Sequence, residues 1–226
     1  MLYLLLKIEG SSVKKIAVFA SGRGSNFQAI YRHITRGELP AQIQCLITDN
    51  FRAGAILFAE KHRIPVFVLS PKNFSSPEDF GQALLDVLAR FQVEWIVLAG
   101  YLKKIPDNVV NAFPNRIVNI HPALLPAFGG KGMYGMNVHR AVYHSGAQVS
   151  GVTIHLVNQE YDAGPIVMQQ AVDISGCRNP EEIAAKVLEV EHQLYPRALK
   201  RLFISPFTIT GKRVEFHQLE EIGKAG

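Results

Sequence analysis

The chain has 226 residues, 48% hydrophobic and 19% charged, with a formal net charge of +5 and a pI near 9.2. That is enough apolar material for one substantial core, and it excludes a disordered chain. The basic balance suits an anionic ligand or a merely solvated basic surface. The cations come as isolated pairs such as Lys14-Lys15, Lys103-Lys104 and Lys200-Arg201, not as a stripe interleaved with aromatics, so nucleic acid is not an expected partner.

The apolar stretch from Met1 is short and broken by Lys7 and Glu9. No basic start or small-residue cleavage site accompanies it, so residues 1–13 read as a loose leader and not a signal peptide. No apolar run reaches the ~20 residues needed to cross a bilayer. Cys45 and Cys177 belong to no pairing motif, which suggests free thiols in a reducing, cytoplasmic setting.

Ile16 to Ala20 is a continuous apolar run that reads as a buried strand, and Phe27, Ile30, Tyr31 and Ile34 follow with helical spacing. The alternation repeats: strand 43–48, helix 53–62, strand 66–69, helix 77–91, strand 95–99, short helix 106–113, strand 117–120. Such alternation predicts an α/β fold with a Rossmann-like, mostly parallel sheet flanked by helices. Residues 121–137 are rich in Gly and Pro and read as a loop before a short helix over 138–144. Strands over 149–157 and 166–172 are expected to pair antiparallel. A long amphipathic helix follows over 181–202, with Pro196 expected to interrupt or kink it. A single domain is expected over residues 14–204. The tail 205–226 has no assigned function, and Gly211-Lys212-Arg213 reads as a hairpin turn.

Four segments carry candidate chemistry. Ser21-Gly22-Arg23-Gly24-Ser25-Asn26 joins the first strand to its helix. It reads as an anion site made of backbone N–H groups, or as a tight turn needing small residues, with Ser25 or Asn26 available as the N-cap. Phe27 stands where a dinucleotide fingerprint needs its third glycine. Asn119 and His121 lie two apart at the carboxyl end of a parallel strand, so they project together where α/β folds place ligands. An amide beside an imidazole can stabilise an oxyanion and move a proton; a polar pair that satisfies loop backbone is the alternative. Asp162 lies in Tyr-Asp-Ala-Gly-Pro, where turn chemistry is the ordinary explanation. Near His121 its carboxylate would raise the imidazole pKa and keep it protonated. The run Ala99 to Pro106 also ends a strand, and it suits a flat heteroaromatic ligand held by backbone groups or is an ordinary loop. His155 reads as a core residue or a support for the site. No spacing of His and Cys suggests a metal.

Taken together, Ser-Gly-Arg-Gly-Ser-Asn-Phe-Gln-Ala-Ile (21–30), Val-Leu-Ala-Gly-Tyr-Leu (97–102), Asn-Ile-His-Pro-Ala-Leu-Leu-Pro (119–126), Gly-Val-Thr-Ile-His (151–155), Tyr-Asp-Ala-Gly-Pro-Ile (161–166) and Glu-His-Gln-Leu-Tyr-Pro (191–196) resemble the phosphoribosylglycinamide formyltransferases. These folate-dependent enzymes of purine biosynthesis are also called glycinamide ribonucleotide transformylases. The resemblance implies transfer of the formyl group of 10-formyltetrahydrofolate to the amine of glycinamide ribonucleotide, without a metal. It implies that Gly24, Ser25, Asn26 and Glu191 bind the ribonucleotide. Leu102, Lys103, Lys104 and Ile105, with Asn119, would hold the folate, and Asn119, His121 and Asp162 would carry the chemistry. A monomer or homodimer is expected. A formyltetrahydrofolate deformylase, or another folate-dependent formyltransferase, is the alternative. The chain departs from the family at Pro77, where many relatives carry a folate-contacting Arg, and in the long loop 128–135, which reads as a lid or a substrate-binding loop containing Lys131.

Overall fold

The structure, a computed structural model, describes residues 12–217. Residues 1–11 of the expected leader and 218–226 of the tail lie outside the described residues.

Five parallel strands form the first half of one sheet. They are β1 (Lys14–Phe19), β2 (Ala41–Thr48), β3 (Val66–Val68), β4 (Trp95–Leu98) and β5 (Ile117–His121). Their spatial order is β3-β2-β1-β4-β5. The chain builds outward from β1 on one side, then crosses over it and builds outward on the other. Loops after β1 and β4 therefore diverge at the carboxyl ends of neighbouring strands and leave a crevice there. The strands are apolar on both faces, as parallel strands between helices must be. Ile16 through Ala20 are fully buried, as are Ile96 and Val97.

Helices cover both faces. One core packs β1, β4 and β5 side chains such as Val18, Val97 and Val118 against α1 (Ser25–Thr35), α2 (Gly54–Lys61) and the long α6 (Pro180–Ile204). The other packs Phe19, Ile47, Ile96 and Leu98 against α3 (Pro77–Arg90) and α4 (Asp107–Ala112). Pro77 is the first residue of α3, behind the Ser76 cap that accepts from the Asp79 N–H.

The second half is antiparallel, as the two long apolar runs suggested. After α5 (Met136–His144), strand β6 (Val149–Leu156) pairs antiparallel with β5 and with β7 (Ile166–Asp173). The tail continues the same sheet. β8 (Phe207–Thr210) and β9 (Arg213–Phe216) form a hairpin about Gly211-Lys212, and β9 meets β7 at Ile166 and Arg213.

Pro196 does not interrupt α6, which runs unbroken for 25 residues. A proline removes one ladder bond and crowds the preceding turn. Here α6 is held by α1, α5 and β6 along its length, and Pro196 itself is buried. The adjacent Tyr195 is fully buried. Its Oη lies 3.0 Å from the Leu98 carbonyl and 2.9 Å from the Val118 carbonyl, so one hydroxyl proton is shared between the last residue of β4 and the second residue of β5. The proline segment thus docks α6 against β4 and β5. Tyr195→Phe keeps the ring and removes this tie, so it is expected to lower unfolding free energy by about 1–3 kcal/mol in urea denaturation.

Candidate active site

The crevice is a cleft of about 650 Å³. Every site residue expected from sequence lines it: Gly24, Ser25, Asn26, Leu102, Lys103, Lys104, Ile105, Asn119, His121, Asp162 and Glu191.

At one end is the loop after β1. The N-cap of α1 is Gly24, at φ 75°, and not Ser25 or Asn26 as the side chains suggested. A Cβ at Gly24 would lie 2.8 Å from Ala55 Cβ, so close packing against α2 as well as the left-handed backbone requires glycine. No side chain caps the helix and its first turn holds no acid. Its first N–H groups and positive dipole end are therefore directed at whatever occupies this end of the cleft. Asn26 is buried and donates from Nδ2 to Glu191 Oε2 at 2.5 Å. Glu191 is only 8% exposed, although it lies on a long amphipathic helix. Burial pushes its carboxyl up to about 7, against the opposing bond from Asn26.

The middle of the cleft is built by β5, β6 and the turn after β6. Antiparallel register sets Asn119 opposite His155 and His121 opposite Thr153. Asn119 Nδ2 lies 3.1 Å from His155 Nε2, and His155 Nδ1 lies 2.9 Å from the Leu156 carbonyl. The Nδ1–H therefore donates to that carbonyl and Nε2 faces the Asn119 amide, which keeps a second N–H free. Thr153 Oγ1 donates to the Ala123 carbonyl and accepts from the Leu125 N–H, which fixes the chain leaving His121.

Asp162 enters from the Asn158–Pro165 turn. A Cβ on Gly164 would fall 1.8 Å from the Leu156 carbonyl oxygen. Only glycine lets the turn lie this flat on β6, and that contact brings Asp162 over the strand. Its Oδ2 is 3.6 Å from His121 Nδ1 and its Oδ1 is 3.6 Å from His155 Nε2. Oδ2 also accepts the Gly130 N–H at 2.9 Å. Burial pushes the Asp162 carboxyl up, but the two histidines and this N–H together hold it below its usual range.

His121 is 3% exposed, and its Nε2–H donates to the Phe128 carbonyl at 2.8 Å. Asp162 acts on it in the expected direction, but the net shift is the reverse of the expectation. Burial lowers the imidazole pKa by more than Asp162 and the Phe128 carbonyl raise it. His121 is therefore neutral in the free protein at neutral pH, with Nδ1 unprotonated beside a carboxylate. A third imidazole, His139 on α5, also lines the cleft. Burial, then His121, brings its pKa down to about 4. Sequence reading did not single out His139, and it undervalued His155. The signal for His155 was its place within the Gly-Val-Thr-Ile-His strand, but its partner became visible only with the register.

The loop after β4 closes the other end. Leu102 is 45% exposed within the cleft while Ile105 is buried as its anchor. Lys103 approaches Asp49 at 3.5 Å and Lys104 pairs with Asp107. Gly130, Lys131 and Tyr134 of the long loop line the mouth. Among the described residues no cluster of His, Cys, Asp and Glu has metal-binding geometry, and no helix is long and apolar enough to cross a membrane. Cys45 and Cys177 are free thiols.

Two buried groups give opposite pH dependences. Glu191 keeps its proton to about 7 when folded, against an ordinary 4.5. Stability from this group therefore falls as pH rises through that window. His139 titrates near 4 when folded, against an ordinary 6.5, so its contribution rises with pH over that range. Glu191→Gln removes the first effect. It is expected to steepen the rise of the urea midpoint between pH 4.5 and 6.5; an unchanged slope would mean that Glu191 is ionised in the folded protein.

Comparison with known proteins agrees with this geometry. A family model described as formyl transferase matches residues 14–199. The chain is 48% identical over 198 residues to a chloroplastic phosphoribosylglycinamide formyltransferase of Arabidopsis thaliana, covering 85% of this chain and 68% of that protein. It is 38% identical over 190 residues to the Bacillus subtilis phosphoribosylglycinamide formyltransferase, covering 84% and 95%. Among solved structures, glycinamide ribonucleotide transformylase 1 from Geobacillus kaustophilus superposes with a TM-score of 0.79 at 40% identity, over 84% of this chain and 99% of that one. The corresponding enzyme from Symbiobacterium toebii gives 0.86 at 32% identity, over 93% and 96%. The extent of these matches, together with one cleft shared by the glycine-rich loop after β1 and the Asn-His-Asp cluster, means that the chain belongs to the formyl transferase family.

Proposed function

We propose that this protein transfers the formyl group of 10-formyltetrahydrofolate to the amine of 5'-phosphoribosylglycinamide, a step of purine biosynthesis. The observation that carries this reading is the convergence, in one cleft, of an uncapped glycine-rich helix start with Asn119, His121 and Asp162. In this reading the α1 N–H groups at Gly24, Ser25 and Asn26 take the ribonucleotide phosphate, and the buried Glu191 carboxyl takes a ribose hydroxyl. The segment Leu102–Ile105 takes the flat pterin of the folate. A deformylase from Pseudomonas syringae shares the fold with a TM-score of 0.81, but at 22% identity the likeness extends to fold alone. Hydrolysis of the same donor by water would give the phosphate-type loop no task.

The chemistry follows from the geometry around His121. The amine nitrogen bonds to the formyl carbon, and the carbonyl π pair moves onto oxygen. The free N–H of Asn119 donates to that oxyanion. The neutral imidazole of His121 removes a proton from the attacking nitrogen at Nδ1, the position beside Asp162 Oδ2. The resulting imidazolium is then paired with a carboxylate in a low-dielectric site, where the attraction is worth most. As the carbon–nitrogen bond to the folate breaks, the proton passes to the leaving nitrogen. Formyl product and tetrahydrofolate leave, with no net proton change. Asp162 thus stabilises the cation His121 becomes, and does not keep it charged beforehand. Free thiols fit a reducing, cytoplasmic setting.

Mixing the protein with glycinamide ribonucleotide and a 10-formylfolate, and following deformylated folate by absorbance, tests the assignment. Release that depends on the ribonucleotide is expected. No release refutes the assignment, and ribonucleotide-independent release makes the protein a deformylase. Loss of an oxyanion donor costs roughly a hundredfold or more in kcat, and loss of a general base costs a similar factor. Asn119→Ala and His121→Ala are therefore each expected to lower kcat by about a hundredfold, and near-normal turnover in either would refute its role.

A further inference from the structure

Three loops meet behind the cleft through a side chain that the chemistry above does not use. Ser21 follows β1 and is 6% exposed. Its hydroxyl donates to Asp49 Oδ1 at 2.5 Å and accepts the Leu102 N–H at 2.9 Å. The Ser21 N–H donates to the Gly100 carbonyl at 3.1 Å, and its carbonyl accepts from Asn50 Nδ2 at 3.3 Å. Asp49, at the end of β2, places its second oxygen 3.5 Å from Lys103 Nζ, with its side chain 9% exposed.

The consequences fall on both halves of the cleft. Ser21 immediately precedes the loop Gly22–Asn26, so the direction in which that loop leaves β1 is fixed by the bonds Ser21 makes. Leu102 opens the segment at the opposite end. Its side chain is 45% exposed and gives little packing of its own, so its backbone position is set by the Ser21 hydroxyl together with the buried Tyr101 and Ile105 on either side. Asp49 orients that hydroxyl: as a carboxylate it can only accept, which leaves the Ser21 oxygen lone pairs for Leu102. It also holds the Lys103 ammonium toward the end of β2.

We infer that Ser21 and Asp49 form a strap between the phosphate-type loop and the 102–105 segment, so that filling either half of the cleft orders the other. Both are positioning residues, because neither is assigned a contact with the reacting atoms. The inference rests on the substrate assignment of the preceding section. Coupling of this kind is reciprocal and is ordinarily worth about fivefold or more in affinity.

The test is calorimetric titration of 5-formyltetrahydrofolate, a donor analogue, into the full chain with and without saturating glycinamide ribonucleotide. In the unaltered protein the ribonucleotide is expected to tighten the analogue about fivefold or more. In Ser21→Ala and in Asp49→Asn the two affinities are expected to agree within twofold, with Ser21→Thr restoring the difference. In steady-state assays Ser21→Ala is expected to raise the KM of both substrates several-fold with kcat within twofold, a split that simple loss of stability would not produce. Coupling retained in both folded variants, or no coupling in the unaltered protein with both ligands bound, overturns the strap. An unaltered protein that binds neither ligand overturns the functional reading and the strap with it. If Ser21→Ala fails to melt cooperatively, Asp49→Asn alone decides.

Discussion

The site is organised around one carboxylate that is mostly removed from water. Burial alone favours the protonated form of Asp162. What opposes it is the Gly130 N–H on Oδ2, together with the positive charge that either facing imidazole carries when protonated. Each of those groups comes from a different element: β5, β6 and the long loop before α5. The carboxylate is therefore both a reactive feature and a joint, and the loop cannot shift without altering the field that His121 feels. The same loop fixes the other nitrogen of His121 through the Phe128 carbonyl. The imidazole is thus held from both sides by residues 128–130 and by the carboxylate they contact.

The supporting fold is arranged so that these elements end at one level. Parallel strands deliver the loops after β1, β2 and β4 to the same rim, and the reversal of strand direction at β6 returns His155 to it. Tyr195 ties the two neighbouring strands β4 and β5 together, with one proton shared between Leu98 and Val118. The cleft therefore depends on a helix that contributes Glu191 from inside and Tyr195 against β4 and β5, only four residues apart. That spacing is one turn of an α-helix.

Much of this was legible in the sequence because it is local. Apolar runs bounded by turn residues such as Gly22, Asn50, Pro65, Gly100 and Pro122 mark β1 to β5, and the two long runs after residue 148 mark the antiparallel pair. Asn119 and His121 could be placed together because alternation along a strand is a local property. What was not legible is set by distance. The pairing of Asn119 with His155 depends on register across a 27-residue connection between β5 and β6. Burial of Glu191 depends on α1 packing on α6. The sign of the His121 shift required weighing a neighbouring charge against desolvation, and only the folded environment sets the second. Pro196 misled because the local cost of proline in a helix was visible while the packing that offsets it was not. The N-cap is Gly24, and not Ser25 or Asn26, because contact with Ala55 on another helix, and not cap chemistry, decides that position.

The hairpin at the chain's end stands apart from this interdependence. It extends the sheet beyond β7, yet β9 meets β7 at a single ladder position, Ile166 with Arg213, supported by the Ile166 N–H bond to the Lys212 carbonyl and by the Arg201 guanidinium 4.3 Å over the Phe216 ring. Phe207, Ile209, Val214 and Phe216 add only half-buried packing against the core, and segments joined to a sheet by so little backbone pairing open as their own cooperative units, at lower free energy than the global transition. Amide hydrogens of β8 and β9 would therefore exchange with solvent ahead of those in β1, β4 and β5, while the strands that carry the reacting groups remain closed.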